Sequence, residues 1–216
     1  MTPLTVLLPA IVLAVAVLLV GEFRKIDRII WIFKPLSTAL IVLLAALPIF
    51  GGSERLYGLW ICVGLVLCLG GDVALMPPDK PVKFRTGLVL FLLGHMAYIV
   101  AFWAPSGFAT ADIVSGAVLL ILSVLFYRHL SGGLGSLRLP VIAYMAVIGL
   151  MVNRALSMVA AGGGRRAFLA AAGALAFFVS DLMLAGSRFR WHWRGERVSL
   201  VFYFGGQVLI ALSTGY

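Results

Sequence analysis

The stretch Gly64-Leu-Val-Leu-Cys-Leu-Gly-Gly-Asp-Val-Ala-Leu-Met76 places a single carboxylate, Asp72, inside an apolar run. The whole run, residues 56–76, is long enough to cross the roughly 30 Å core of a bilayer as a helix. A carboxylate at that depth is costly unless it faces a bundle interior or a wet cavity, so Asp72 is a candidate functional residue. Residues 173–186 repeat the pattern around Asp181, with Ser-Asp in place of Gly-Asp. We therefore expect the two aspartates to act as a pair.

The composition is that of a membrane protein. Of the 216 residues, 62% are hydrophobic and 12% are charged, and the mean hydropathy is +1.11. These values lie far outside the range of soluble globular domains. The formal charge of +9 does not indicate nucleic-acid binding, because the Lys and Arg residues lie mostly in short connectors between apolar runs. The expected partners are membrane lipids, and the sequence predicts no oligomeric state.

Apolar runs of membrane-spanning length occur eight times, and the first is expected to be a retained helix and not a cleaved signal. None of the connectors is long enough for a soluble domain. The sequence therefore predicts an all-α, polytopic protein with a single transmembrane domain over residues 1–216. The predicted spans are 4–20, 29–49, 56–76, 86–104, 111–127, 139–159, 167–186 and 198–215.

The positive charges predict the orientation in the membrane. Twelve Lys and Arg residues lie in or beside the first, third, fifth and seventh connectors, against four on the other side. Because basic connectors stay in the cytoplasm, both termini are expected outside the cell membrane. The seventh connector, residues 188–194, interleaves aromatic and basic residues, and we expect it, His192 included, to lie at the lipid headgroups.

Polar residues from different spans share one depth. At 1.5 Å per residue, most of them lie within roughly 8–15 Å of the cytoplasmic surface. Scattered structural residues have no reason to share a layer, so the pattern predicts one polar cavity in the cytoplasmic half. The residues are Lys34, Asp72, His95, Tyr98, Tyr144, Asp181, Tyr203 and Gln207.

The two halves of the chain, 1–108 and 109–216, resemble each other weakly. Asp72 and Asp181 are 109 residues apart, and each is followed by a charged connector and then by another helix. In that next helix a polar residue follows a glycine: His95 in the first half and Gln207 in the second. An even number of spans separates the halves, so a repeat would be parallel, with its axis along the membrane normal.

Two carboxylates in one low-dielectric site suit acid-base chemistry, since one of them can donate a proton while the other accepts one. Several alternatives stay open. The aspartates could pair structurally with Lys34, in which case the protein would be a scaffold. Together with His95 they could hold a metal, although no ligand-spacing signature supports this. Intramembrane acids and internal repeats also mark transporters, so a lysolipid or proton-coupled solute transporter is the main functional alternative.

At these same residues the chain resembles the YhhN family of integral membrane proteins, which includes the lysoplasmalogenases. The resemblance extends from the second predicted helix to the end of the chain. It rests on Lys34-Pro35, Gly71-Asp72, Phe91-Leu-Leu-Gly-His-Met-Ala-Tyr98, Tyr144, Phe178-Val-Ser-Asp181 and the Tyr203 to Gln207 segment.

The resemblance implies a hydrolase that cleaves the vinyl-ether bond of lysoplasmalogens to a fatty aldehyde and glycerophospho-ethanolamine or -choline, without a cofactor. Asp72 and Asp181 would then be the acid and the base, as in glycoside hydrolysis through an oxocarbenium-like transition state. Lys34 would tune them or hold the phosphate. The remaining polar residues would orient water and the glycerol hydroxyl; they are His95, Tyr98, Tyr144, Tyr203 and Gln207.

Overall fold

The computed structural model describes residues 3–50, 55–76, 81–108, 110–190 and 195–216. Over these ranges the chain forms eight long helices and no strand, each helix long and apolar enough to cross a membrane, which confirms the predicted fold class. The helices are α1 (Pro3–Arg24), α2 (Asp27–Ala46), α3 (Arg55–Leu75), α4 (Pro81–Ser106), α5 (Thr110–Leu130), α6 (Arg138–Ala160), α7 (Gly164–Phe189) and α8 (Gly195–Leu212).

Several helices extend beyond the apolar runs that predicted them. The seventh run, 167–186, becomes α7, which begins at Gly164 and ends at Phe189. The added turns carry Arg165, Arg166 and Arg188, whose charged groups can reach the interface while their backbone stays helical. Hydropathy therefore marks the lipid-crossing part of a helix, and the charged ends continue past it.

Two helix pairs, α3 with α4 and α7 with α8, form the most extensive contacts in the bundle. Gly173 on α7 and Gly206 on α8 face each other so closely that a Cβ on Gly173 would lie 2.7 Å from the Gly206 carbonyl oxygen. On the other pair, a Cβ on Gly71 would lie 2.7 Å from the Phe91 ring. Such close approach through small residues is the usual basis of helix packing in membranes.

Helix α5 is the most peripheral of the eight. Only Asp112, Leu119 and Leu130 are buried along its length, and it packs mainly against α6. Helix α6 in turn contacts α4 and α7, while α2 contacts α3 and α8. Because α5 has few neighbours, most of its side chains stay outside the core of the bundle.

A buried ion pair attaches the start of α5 to the bundle. The guanidinium of Arg154, which is 1% exposed, lies 2.8 Å from an Asp112 carboxylate oxygen. It also donates a 2.8 Å hydrogen bond to the Gly107 carbonyl. Its centre lies 4.9 Å from the Trp103 ring and 5.0 Å from the Phe108 ring. Arg154 therefore holds the α4–α5 connector and both flanking helices together.

Candidate active site

A cavity of about 410 Å³ opens at one end of the bundle. We call this end, where α2, α4, α6 and α8 begin and α1, α3, α5 and α7 end, the basic end. Most of the cavity wall is apolar, and both Asp72 and Asp181 line it. Three more of the residues predicted to share one polar layer also line it: Lys34, Tyr144 and Tyr203.

Asp72 is held on three sides. Its carboxylate is 2% exposed, and one oxygen, Oδ2, accepts 2.7 Å hydrogen bonds from both Thr38 Oγ1 and the Tyr203 hydroxyl. The other oxygen lies 3.8 Å from Lys34 Nζ. Lys34 and Thr38 are four residues apart, so they lie on the same face of α2. A cation and two hydroxyl donors therefore surround this buried carboxylate.

Asp181 is more open and lies beside no cation among the described residues. Its side chain is 16% exposed, and its Oδ2 accepts a 2.6 Å hydrogen bond from the Tyr144 hydroxyl. His95 Nε2 lies 3.9 Å from the same oxygen, too far for a direct hydrogen bond. Each aspartate thus accepts a hydrogen bond from one phenol, but among the residues that the structure describes Asp72 alone has a Lys or Arg beside it.

An aromatic layer connects the two carboxylate sites. The Phe177 ring lies edge-on to His95 at 4.7 Å and to Tyr203 at 5.1 Å, measured between ring centroids. The Phe91 ring lies 5.9 Å from Tyr203. Because edge-to-face contacts restrict ring orientation, this layer fixes the side chains that contact the aspartates.

The other predicted site residues lie behind the cavity. His95 does not line it and is fully buried, but it approaches Asp181 and its ring lies edge-on to the Tyr144 ring at 5.3 Å. Tyr98 is also fully buried, with its hydroxyl 3.8 Å from Cys68 Sγ. Gln207 is fully buried, and its amide has no hydrogen-bond partner among the described residues. A direct role in orienting substrate remains a prediction for all three.

Sequence reasoning did not identify Thr38, Phe177 or Arg188 as site residues. Thr38 follows Lys34 by four residues, so the helical spacing was the available signal. Arg188 was predicted to lie at the lipid headgroups, yet it lines the cavity mouth, with its guanidinium 4.2 Å from the Phe84 ring centroid. His192 lies outside the described residues.

The fold and the site define a multi-span membrane protein with two carboxylates, one buried and one partly exposed, on one cavity. The model of the YhhN family matches residues 29–214, and the chain therefore belongs to the YhhN family. It is a multi-pass membrane protein.

The chain is similar to curated proteins of two kinds. Two are named lysoplasmalogenase TMEM86A. The one from Bos taurus is 36% identical over 158 residues, which cover 71% of this chain and 64% of the relative. The one from Homo sapiens is 36% identical over 157 residues, with the same coverage. The chain thus spans just under two thirds of the length of these relatives.

An uncharacterized membrane protein YhhN from Escherichia coli O6:H1 is 28% identical over 188 residues, covering 85% of this chain and 86% of the relative. No solved structure matches the chain.

Proposed function

We propose that this protein is a membrane-embedded hydrolase that cleaves the vinyl-ether bond of lysoplasmalogens. The observation that carries the proposal is the placement of two intramembrane carboxylates, each accepting a hydrogen bond from a phenol, on one largely apolar cavity. The names of the mammalian relatives supply the substrate class. The products are a fatty aldehyde and a glycerophospho-ethanolamine or -choline.

The reaction needs one proton donor and one proton acceptor. A proton is added to the alkenyl carbon remote from the ether oxygen, and the remaining cation is shared between the adjacent carbon and that oxygen. Water adds to this carbon and loses a proton, which gives a hemiacetal. Collapse of the hemiacetal breaks the carbon–oxygen bond, returns a proton to the glycerol oxygen and releases the aldehyde. Two carboxylates are sufficient for these transfers, as in glycoside hydrolysis.

The surroundings of the two aspartates favour different roles. Lys34 and two hydroxyl donors stabilise a charged Asp72. We therefore assign Asp72 two roles: it stabilises the oxocarbenium-like cation, and it accepts the proton that the attacking water loses. Asp181 has no cation beside it among the described residues and is more open to the cavity. We assign it the delivery of the proton to the alkenyl carbon. Tyr144 and Tyr203 hold the two carboxylates in place.

The cavity mouth suits a phosphate group. Lys34 and Arg188 both line the cavity at the basic end, together with the half-exposed Trp31 and two carboxylates, Glu22 and Asp27. A lysophospholipid entering from the leaflet would place its phosphate near these cations and its ether linkage deeper, at the aspartates. We place the basic end in the cytoplasm, since basic connectors are retained there, and therefore place both termini outside.

The test is aldehyde release from a lysoplasmalogen by the purified protein in lipid nanodiscs, with Asp72→Asn and Asp181→Asn variants alongside. Each variant removes a proton-transfer group with little change in shape, so we expect activity to fall at least about a hundredfold. Melting temperatures would show that both variants are folded. A parallel assay with a chelator tests the metal alternative.

Full activity in both variants would exclude the acid-base pair, and loss of activity with chelator would indicate a metal. A folded wild-type protein that releases no aldehyde would overturn the vinyl-ether assignment.

The polar groups at the end of the bundle opposite the cavity favour the hydrolase over the transporter alternative. A transporter needs a polar path to both faces. Among the described residues, the polar groups there include Asp112, Asn153 and Arg154, which bind one another and the adjacent backbone. Because these groups pair with one another, they are better suited to holding α5 and the α4–α5 connector in place than to lining a transport path.

A further inference from the structure

A second cavity, of about 480 Å³, lies between α5 and α6. Its wall is almost entirely apolar, with Leu119 and Leu120 on α5 and Leu150 on α6 among its lining residues. We call it the α5–α6 groove. It runs from the level of Tyr127, near the basic end, to Asn153, near the opposite end.

Two glycines, Gly116 and Gly149, line the groove. A Cβ built on Gly149 would have its nearest neighbour, Ser123 Oγ, 4.0 Å away. A Cβ on Gly116 would lie 3.4 Å from the nearest atom, Asn153 Nδ2. At Gly173 the corresponding distance is 2.7 Å. A Cβ would therefore fit without a clash at Gly116 and Gly149, which line the groove, whereas at Gly173 it would clash with the facing backbone.

Met145 lies between the groove and the candidate active site, because it lines both cavities. The hydroxyl of the preceding residue, Tyr144, donates a hydrogen bond to Asp181. From Met145 the groove follows α6 for eight residues to Asn153, about 12 Å along the helix axis. It thus starts beside the reacting carboxylates and leads away from the basic end.

We infer that the α5–α6 groove holds the hydrocarbon chain of the substrate lipid while the ether linkage lies between Asp72 and Asp181. This inference rests on the proposed function. The phosphate at the mouth, the linkage at the aspartates and the chain beyond Met145 then follow one another along the bundle axis. That order matches a lipid whose headgroup lies at the surface and whose chain points to the bilayer centre. Met145 marks the boundary between the part of the lipid at the aspartates and the part in the groove.

The first test fills the groove. Gly149→Leu and Gly116→Leu place a bulky side chain where the distal part of the chain would lie. The matched control is Gly205→Leu on α8, where the glycine is exposed and has no neighbour within 4 Å of a built Cβ. Each protein is assayed with lysoplasmalogens of short and long alkenyl chains.

We expect the groove variants to lose at least about tenfold in kcat/KM for the long chain relative to the short one, because each excluded methylene forfeits burial. Short-chain activity and the Gly205→Leu profile are expected to stay near those of the wild type. A wild-type length profile in both groove variants would overturn the inference.

The second test does not depend on turnover. A lysophospholipid with a photoreactive group at the end of its chain is crosslinked to the wild-type protein, and labelled residues are mapped by mass spectrometry. Labelling of α5 and α6 between Gly116 and Asn153, lost in Gly149→Leu, supports the inference. Labelling elsewhere overturns it, and so does equal labelling by a diacyl lipid, which would make the groove an ordinary lipid contact.

The two tests separate the proposals. Aldehyde release by the wild type with an unchanged length profile in Gly149→Leu would refute the groove assignment and leave the hydrolase standing. Chain-end labelling of the groove without aldehyde release would keep the groove as a lipid-chain site and refute vinyl-ether hydrolysis. A change of oligomeric state in Gly149→Leu alone would instead assign the groove to a contact between copies.

Discussion

At the scale of single residues, the two carboxylates depend on hydroxyl groups from neighbouring helices. Tyr203 reaches Asp72 from α8, and Tyr144 reaches Asp181 from α6. A hydrogen bond to a charged group contributes about 1.5–3 kcal/mol, roughly twice a neutral bond. Each phenol therefore both positions its aspartate and sets how readily that aspartate exchanges a proton.

Replacing either phenol with phenylalanine keeps the ring and removes only the hydroxyl. We expect Tyr144→Phe and Tyr203→Phe each to lower the rate of aldehyde release by about tenfold to a hundredfold, in line with the loss of one charge-assisted hydrogen bond. The measurement is kcat and KM in nanodiscs. Because the phenols act on the aspartates, the change should appear mainly in kcat.

The matched control is Tyr57→Phe, which removes an equally short 2.7 Å hydrogen bond, to Ser213, at a residue that does not line the cavity. Its activity is expected to stay near wild type. An equal loss in Tyr57→Phe would mean that general stability, and not the carboxylates, explains the effect.

The residues that the sequence does and does not identify differ in a physical way. Asp72 and Asp181 stand out because a charge in an apolar run is costly. Thr38 does not, because a hydroxyl within a helix can bond its own backbone and is common in membrane spans. Tyr98 shows a second limit: its depth was predictable, but the direction in which it points was not. A span that is apolar on every side carries no periodic signal for the face that meets the cavity.

At the scale of helices, the buried ion pair between Arg154 and Asp112 helps to attach α5 to the bundle, beside the packing of α5 on α6 and the hydrogen bonds of Asn153 to the start of α5. Removing one partner of such a pair leaves the other buried and uncompensated, which costs about 3–5 kcal/mol. We therefore expect Arg154→Met to lower the melting temperature markedly and to loosen the α4–α5 connector. Differential scanning fluorimetry and limited proteolysis measure the two effects.

The control for this prediction is Arg165→Met, since Arg165 lies at an exposed position on α7 and should contribute little. Asp112→Asn combined with Arg154→Met should recover part of the loss, because neither charge is then left alone. A melting temperature for Arg154→Met equal to that of Arg165→Met would show that the ion pair does not hold α5.

Arg154 also shows which features of the helix arrangement can be predicted from the sequence. The sequence predicts all eight helices, because each carries a run long enough to cross a bilayer. It places Arg154 toward the surface opposite the cavity. It does not predict the Asp112 partner, since pairing between helices depends on their arrangement, which hydropathy does not encode.

At the scale of the whole molecule, the environments of the two aspartates correspond. Asp72 on α3 receives hydroxyl groups from α2 and α8, and Asp181 on α7 receives one from α6 and faces His95 of α4. The two sets of contacts correspond when α2 is exchanged with α6, α3 with α7 and α4 with α8. Under this exchange the α2 and α8 contacts to Asp72 become the α6 and α4 contacts to Asp181. The two tight helix pairs, α3–α4 and α7–α8, exchange in the same way. We propose that residues 1–108 and 109–216 form a parallel repeat with its axis along the membrane normal.

A parallel repeat makes a prediction about sidedness. Both halves must cross the membrane in the same direction, so the start of α5 and the C-terminus must lie on one face, and the α5–α6 connector on the other. Three exposed residues report on these points: Ala111, Ser136 and Tyr216. In a background without Cys62 and Cys68, each is changed to cysteine and treated on intact cells with an impermeant maleimide.

Ala111→Cys and Tyr216→Cys should be labelled on intact cells, whereas Ser136→Cys should be labelled only after the membrane is permeabilised. This outcome follows from the excess of Lys and Arg in the connectors at the basic end, which keeps that end in the cytoplasm. Labelling of Ser136→Cys alone would reverse the orientation and place the cavity mouth outside, while leaving the repeat intact. Labelling of Ala111→Cys and Tyr216→Cys from opposite sides would require an odd number of crossings between them, and a parallel four-helix repeat could not produce that.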